Sequence, residues 1–169
     1  AFKYINCLFH RNYSGFNFTN NDTVDGGIYF NYCTFINNSS IANSFNSGMN
    51  NAKVGIFNSI LWDTENDSIV GLNTSNSYLH IENSIVKDTI RSKLNNNFND
   101  DPGFIDTNLF YISNTSLGNS GGRDSLYLGY GELVKNPNFD ITGNLRPLPI
   151  KSAPDLGSFE NIYGISIID

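Results

Sequence analysis

One phrase returns four times in this chain, and its spacing constrains the fold more than any other feature. It reads Phe2-Lys3-Tyr4-Ile5-Asn6-Cys7-Leu8-Phe9, then Ile28-Tyr29-Phe30-Asn31-Tyr32-Cys33-Thr34-Phe35. It comes back as Val54-Gly55-Ile56-Phe57-Asn58-Ser59-Ile60-Leu61 and as Leu79-His80-Ile81-Glu82-Asn83-Ser84-Ile85-Val86. With the small residue as marker (Cys7, Cys33, Ser59, Ser84), successive copies lie 26, 26 and 25 residues apart. So regular a period marks a stack of repeats, each burying its apolar face against the next.

Within each copy the apolar residues alternate. Phe2, Ile28, Val54 and Leu79 stand five before the marker, and Tyr4, Phe30, Ile56 and Ile81 stand three before it. Phe9, Phe35, Leu61 and Val86 follow two after it. A period of two sends those side chains to one face of a strand. Asn6, Asn58 and Asn83 precede the marker, where a bend between two short strands needs a residue that tolerates left-handed backbone. Tyr32 breaks that column. The expected fold class is all-β: a right-handed parallel β-helix of about four coils of 25–26 residues with an irregular C-terminal cap.

The segments between copies, 10–27, 36–53 and 62–78, are rich in Asn, Ser and Gly. They carry Phe16, Phe18, Ile41, Phe45, Ile69, Val70 and Leu72, which are expected to form a third apolar face. The beat stops at Asn95-Asn96-Asn97 and no fifth copy follows. Residues 1–97 therefore read as the coils, and residues 98–169 as a separate module packed on the open end of the stack. Because the chain opens in mid-phrase, the first coil is expected to meet the rest of a longer parent chain, or another molecule, at its N-terminal edge.

Charge narrows the partners. The formal net charge is −6 and the pI about 4.7, which argues against a nucleic-acid partner. No run of eighteen apolar residues is present, so no membrane span is expected. Cys7 and Cys33 hold the same place in adjacent copies. Strand spacing allows a bridge, but parallel side-chain directions suit disulfide geometry poorly, so a stacked pair of free thiols is expected. His10 and His80 stand at different offsets and suggest no paired-imidazole metal site.

The C-terminal module carries a resemblance. Asp101-Pro102-Gly103-Phe104-Ile105-Asp106 is followed by Leu109-Phe110-Tyr111-Ile112 and Ser116-Leu117-Gly118-Asn119-Ser120-Gly121. Asp140-Ile141-Thr142-Gly143-Asn144-Leu145-Arg146 and Asp155-Leu156-Gly157-Ser158-Phe159-Glu160 close the series. Preceded by Asn58-Ser59-Ile60-Leu61-Trp62, this order resembles the β-helix and cap of choice-of-anchor Q proteins, pectate-lyase-like surface proteins of Bacteroidetes-type bacteria. The resemblance spans roughly residues 54–160. The Ser116–Gly121 turn lacks the family's Pro and has Asn119 for its Asp, and residues 122–139 look inserted. The resemblance implies an extracellular or cell-surface location.

The motif residues read as structural. Asp101 and Asp106 are expected to start turns by accepting amide hydrogen bonds. Arg146 is expected to be buried and paired with Asp155 or Glu160, with Phe159 packed on the end of the stack. The sparser chemical candidates lie in the repeats. Asp63 and Asp88 share one offset, so their carboxylates should stack, where they share a proton, hold Ca²⁺ or splay into solvent. Lys87 and Arg91 lie near enough in sequence to serve a lyase as base. Trp62 shares the offset of Lys87, and its indole can stack on a sugar ring or pack under the cap. The favoured expectation is a non-catalytic secreted or cell-surface protein, without cofactor, serving as scaffold, adhesin or glycan-binding surface. The alternative is a Ca²⁺-dependent polysaccharide lyase or a glycoside hydrolase.

Overall fold

The computed structural model describes residues 2–12, 27–38, 53–64, 78–88, 95–106, 108, 110–127 and 133–162. Each copy of the phrase becomes two short strands separated by a bend: β1 (Phe2–Ile5) and β2 (Leu8–His10), β3 (Gly27–Asn31) and β4 (Thr34–Ile36). The third and fourth copies supply β5 (Lys53–Phe57) and β6 (Ile60–Trp62), then β7 (Tyr78–Glu82) and β8 (Ile85–Val86). The odd strands form one four-stranded parallel sheet, β1-β3-β5-β7, and the even strands a second, β2-β4-β6-β8. Register follows the phrase: Tyr4 pairs with Phe30, Phe30 with Ile56, and Ile56 with Ile81. No helix occurs among the described residues, and no helix there is long and apolar enough to cross a membrane.

Alternation places the core between the two sheets. Ile28, Phe30, Cys33, Phe35, Val54, Ile56, Leu61, Ile81 and Val86 form one buried cluster, with Tyr4, Cys7 and Phe9 packed against it. Aromatic rings stack along the strand direction of growth: Tyr4 on Phe30 at 5.0 Å and Phe9 on Phe35 at 4.8 Å. Those distances are the spacing of neighbouring strands, so identical columns of rings follow from identical register. The residues expected to form a third face (Phe16, Phe18, Ile41, Phe45, Ile69, Val70 and Leu72) lie outside the described residues.

The bend is left-handed in every copy, with φ of 53° at Asn6, 54° at Tyr32, 47° at Asn58 and 51° at Asn83. Asn tolerates this region because its short polar side chain bonds locally. Asn83 Nδ2 donates to Asn58 Oδ1 (2.8 Å), and Asn58 Nδ2 donates to Asn31 Oδ1 (3.0 Å). Asn31 thus replaces the amide missing at Tyr32. The marker is small for a second reason besides space. Its side chain accepts the marker N–H of the preceding copy, from Cys33 N to Ser59 Oγ (3.0 Å) and from Ser59 N to Ser84 Oγ (3.1 Å). Each buried amide at the bend is thereby satisfied.

That pattern exposes a fifth bend that the sequence period does not predict. Asn83 N donates to Asn95 O, and Phe98 N donates to Ser84 O, as the earlier copies do one to the next. Asn96 has φ 58°, Asn97 Oδ1 accepts the Ser84 N–H (3.0 Å), and Phe98 bridges Ile85 in parallel. Asn97 stands 13 residues after Ser84, half the usual interval. The beat is therefore shortened, not ended, and Phe98 belongs to the ladder instead of opening the C-terminal module.

The C-terminal segment also departs from expectation. Its described residues run along the side of the stack, not over its end. Asn83 Nδ2 donates to Gly121 O, Arg123 N to Asn58 Oδ1, Ser158 N to Thr34 Oγ1, and Asn6 Nδ2 to Phe139 O. These contacts reach all four copies. The apolar complement is the outer face of the second sheet. Ile60 and Ile85 pack on Ile112 and Leu156, while Ile36 packs with Phe110, Tyr111 and Phe159. Phe159 thus covers a flank, because Ile36, Ile60 and Ile85 point away from the inner core and present a stripe that needs covering. The inserted stretch forms an antiparallel hairpin, β9 (Ser125–Tyr127) with β10 (Leu133–Lys135).

Ile56 is fully buried at the centre of the inner column. Ile56→Ala should cost about 2–5 kcal/mol, through lost burial and the cavity left behind. Asn96→Ala, at an exposed position of the fifth bend, should cost about 1–2 kcal/mol from the left-handed backbone alone. Chemical denaturation of the two variants against wild type measures both. Equal, negligible losses would remove the stacked-register account.

Candidate functional site

The densest group of charges sits where the C-terminal segment crosses the Asn column. Arg146 Nε lies 3.0 Å from Glu160 Oε2, and both side chains are wholly shielded from solvent. The contact is an ion pair without the alignment of a hydrogen bond. Nη1 donates to Gly157 O (3.0 Å) and to Asn6 Oδ1 (3.3 Å), so one guanidinium ties the segment to the first bend. Its Cζ lies 4.5 Å over the ring of Tyr32, a cation–π contact strengthened by the absence of water. Tyr32 is itself fully buried and donates its hydroxyl to Arg123 O.

The Glu160 carboxylate and two more beside the pair, Asp155 and Asp140, are each held by backbone amides. Glu160 Oε1 accepts from Leu148 N (2.9 Å) and Asp155 N (3.3 Å). Asp155 does not pair with Arg146; it accepts from Ser120 N (2.6 Å) and Asn161 N (2.7 Å), stapling three loops. Asp140 Oδ1 accepts from Thr142 N, Thr142 Oγ1 and Asn144 N, and its Oδ2 accepts from Glu160 N. Burial pushes Glu160 up to about 7, against the opposing pull of Arg146. Burial likewise raises Asp155. At Asp140 burial also pushes upward, but the Glu160 amide, the Thr142 hydroxyl and the Asn144 bonds outweigh it and hold the carboxyl below its ordinary range. Burial lowers Arg146, with Glu160 opposing. Tyr32 is raised by burial.

The two motif aspartates upstream do what turn residues do. Asp101 Oδ1 accepts from Gly103 N (2.8 Å), and Asp106 Oδ1 accepts from Asn108 N (2.7 Å). Between them they frame a short hairpin in which Phe104 bridges Ile112 antiparallel.

The repeat candidates are dispersed. Trp62 packs against the Ile60, Ile85, Ile112 and Leu156 cluster, and Lys87 Nζ lies 5.4 Å from its ring centroid. An ammonium over one face and apolar side chains beside it leave little indole for a sugar. Lys87 Nζ also donates to Asp63 O, which engages the group a lyase would use as base. Asp63 is buried, whereas Asp88 is half-exposed and leaves the ladder, its N–H turning back to Val86 O. Equal offset therefore does not give equal environment. No group of three or more His, Cys, Asp or Glu suited to a metal occurs among the described residues. Arg91 lies outside the described residues.

Another polar group escaped the sequence reading. His80 and Glu82, alternate residues on the outer face of β7, meet at 3.0 Å between Nε2 and Oε2. Glu82 Oε1 accepts from Arg123 Nη1 at 2.8 Å, and the Phe57 ring lies 5.7 Å from the His80 ring. Spacing of two on one strand signals a shared face, but Arg123 arrives from 41 positions away, and nothing local announces it. Tyr32 was equally missed as the floor of the Arg146 pair. Its signal was present: a bulky residue in a column of Asn needs a reason. No family model, curated protein or solved structure matches the chain.

Removing one partner of a fully buried pair strands the other charge, at about 3–5 kcal/mol. Arg146→Met should therefore lower the melting temperature sharply, while Lys135→Met, at an exposed site, should leave it unchanged. The pH dependence has a definite sign. A carboxyl raised on folding stabilises fully below its ordinary value of 4.5, and the contribution is lost as pH climbs through about 7. Asp140, depressed on folding, acts oppositely, and its contribution is lost only as pH falls below the ordinary range. The melting temperature should thus fall between pH 5 and pH 8, and Glu160→Gln should flatten that slope. A wild-type melting temperature that climbs over this range would contradict the assignment.

Proposed function

We propose that the chain is a stretch of right-handed parallel β-helix, made of the four copies and the fifth bend that ends at Phe98, braced by the C-terminal segment that follows, and that it serves as a non-catalytic scaffold. The two parallel sheets, with strands returning to the same sheet every repeat, support that architecture. Connections between parallel strands of one sheet wind right-handed almost without exception. The resemblance to choice-of-anchor Q proteins points the same way, to a secreted or bacterial cell-surface protein whose rigid stack displays an adhesive or glycan-binding flank.

One observation carries the non-catalytic reading. The strongest electrostatic constellation, Arg146 with Glu160, is sealed from solvent on every side. Catalytic groups must reach the reacting atoms, and these reach only Tyr32, Asn6, Gly157 and neighbouring amides. Such a pair clamps loops; it does not meet a polysaccharide. Lys87 is similarly engaged with Trp62 and the Asp63 carbonyl.

Incubation with polygalacturonate separates this reading from the lyase on the same architecture. Absorbance of unsaturated uronate should remain at baseline with and without Ca²⁺. Absorbance that grows with time and disappears in Lys87→Met would establish the enzyme instead. Sedimentation with insoluble glycans then tests the displayed surface.

A further inference from the structure

Arg146 makes fewer bonds than a guanidinium so deeply buried can make. Nη1 donates to Gly157 O and Asn6 Oδ1, and Nε meets Glu160 out of alignment. Nη2 is buried and meets no hydrogen-bond partner among the described residues. Asn136 Oδ1 shares that condition, while the nitrogen of the same amide donates to Arg146 O (3.4 Å). Native interiors leave few buried polar atoms unmet, and here a donor and an acceptor stand in one corner of the fold. Arg146 N donates to Asn138 O (2.9 Å) and Asn136 N to Asp124 O (2.6 Å), so residues 136–138 run between Arg146 and the base of the hairpin. The guanidinium Cζ lies 4.5 Å over the Tyr32 ring, whose hydroxyl donates to Arg123 O, next to Asp124. Asn136 therefore stands at the hydroxyl end of the ring that carries Arg146.

We propose that one buried water molecule is a fixed part of this clamp, accepting from Arg146 Nη2 and donating to Asn136 Oδ1. Its second proton has an acceptor in the Tyr32 hydroxyl, which donates its own proton to Arg123 O and keeps lone pairs. The corner selects a small neutral molecule that both donates and accepts. Glu160 pairs with Arg146, Asp155 N donates to Glu160, and Asp140 accepts from Glu160 N, so carboxyl groups outnumber the one guanidinium. An anion entering beside Arg146 would meet that excess of negative charge. A metal ion would meet the protons of Nη2, which can donate but not ligate. Water suits both atoms, and internal waters are held by such groups with about three hydrogen bonds each. Through it Arg146 is tied to the base of the hairpin as well as to Asn6 and Gly157, so one guanidinium joins stack, segment and hairpin.

Two measurements on the whole chain test this. In a crystal structure sharp enough to place solvent, one density peak should lie about 2.7–3.2 Å from both Arg146 Nη2 and Asn136 Oδ1. In solution, oxygen-17 relaxation dispersion of water should report a molecule that exchanges more slowly than the chain tumbles. Asn136→Leu deletes the acceptor and fills its space, so the dispersion amplitude should fall by about one water. Asn136→Asp keeps an acceptor and should retain that amplitude, a contrast that a packing role for Asn136 alone would not produce. Should either variant fail to fold, the crystal density decides alone. Arg146 Nη2 and Asn136 Oδ1 bonded to each other or to other protein atoms in the crystal would overturn the proposal. So would an amplitude unmoved by Asn136→Leu, or a peak that takes up bromide from the crystal bath, which marks an anion instead.

Discussion

Everything described here depends on one backbone constraint, a left-handed residue just before the marker in every repeat. The chain must pass from one sheet to the other within two residues, and only positive φ allows so abrupt a change of direction. Left-handed backbone costs roughly 1–2 kcal/mol per non-glycine residue, and five such residues are stacked here. The cost is bearable because each one places its neighbours' amides and side chains in register. Asn83 bonds Asn58, Asn58 bonds Asn31, and Cys33, Ser59 and Ser84 each donate an amide to the following marker. A ladder of this kind converts a local penalty into a cooperative column.

The C-terminal segment is organised by the same column. Asn6, Tyr32, Asn58 and Asn83 all contact it through side chains. Tyr32 shows why the contact is more than adhesive. It keeps the left-handed backbone of an Asn position without an Asn's local bonds, and its ring turns outward to form the floor for Arg146. The strain in the second repeat is thus offset by tertiary contacts that no repeat makes alone. Gly157 illustrates the closeness of the fit. At φ 87° it approaches the second sheet so nearly that a Cβ would lie 2.6 Å from Thr34 Oγ1, and its N–H bonds Asn58 O (2.9 Å).

Buried charge in this arrangement acts through geometry more than through raw stability. Desolvation of two ions takes back much of what their attraction supplies, consistent with a Glu160 carboxyl raised to about 7 in spite of its partner. The pair instead selects one docking of the loops. Arg146 has donors for Gly157 and Asn6, a face for Tyr32 and a charge for Glu160, and only one placement of the segment meets all four.

The period and the alternation were legible from the sequence alone, because strand register is a local, repetitive matter. A marker every 25 or 26 residues and apolar residues at fixed offsets leave little choice of neighbours or inward faces. For Arg146 the sequence narrowed the partner to Asp155 or Glu160, and only the fold decided for Glu160, because the Asp155 carboxylate is taken by the Ser120 and Asn161 amides. The fifth bend was hidden because Asn95 to Phe98 arrives at half the interval. Its identity rests on hydrogen bonds to Asn83 and Ser84, not on resemblance to the phrase. Flank against end was likewise invisible. That choice belongs to the stripe of Ile36, Ile60 and Ile85, which becomes a single surface only once three distant segments are stacked. The roles of Tyr32, of Arg123 beside Glu82, and of Asp140 beneath Glu160 fall in the same class. Each is made by residues far apart along the chain, and only the folded backbone brings them within the few ångströms over which hydrogen bonds and ion pairs act.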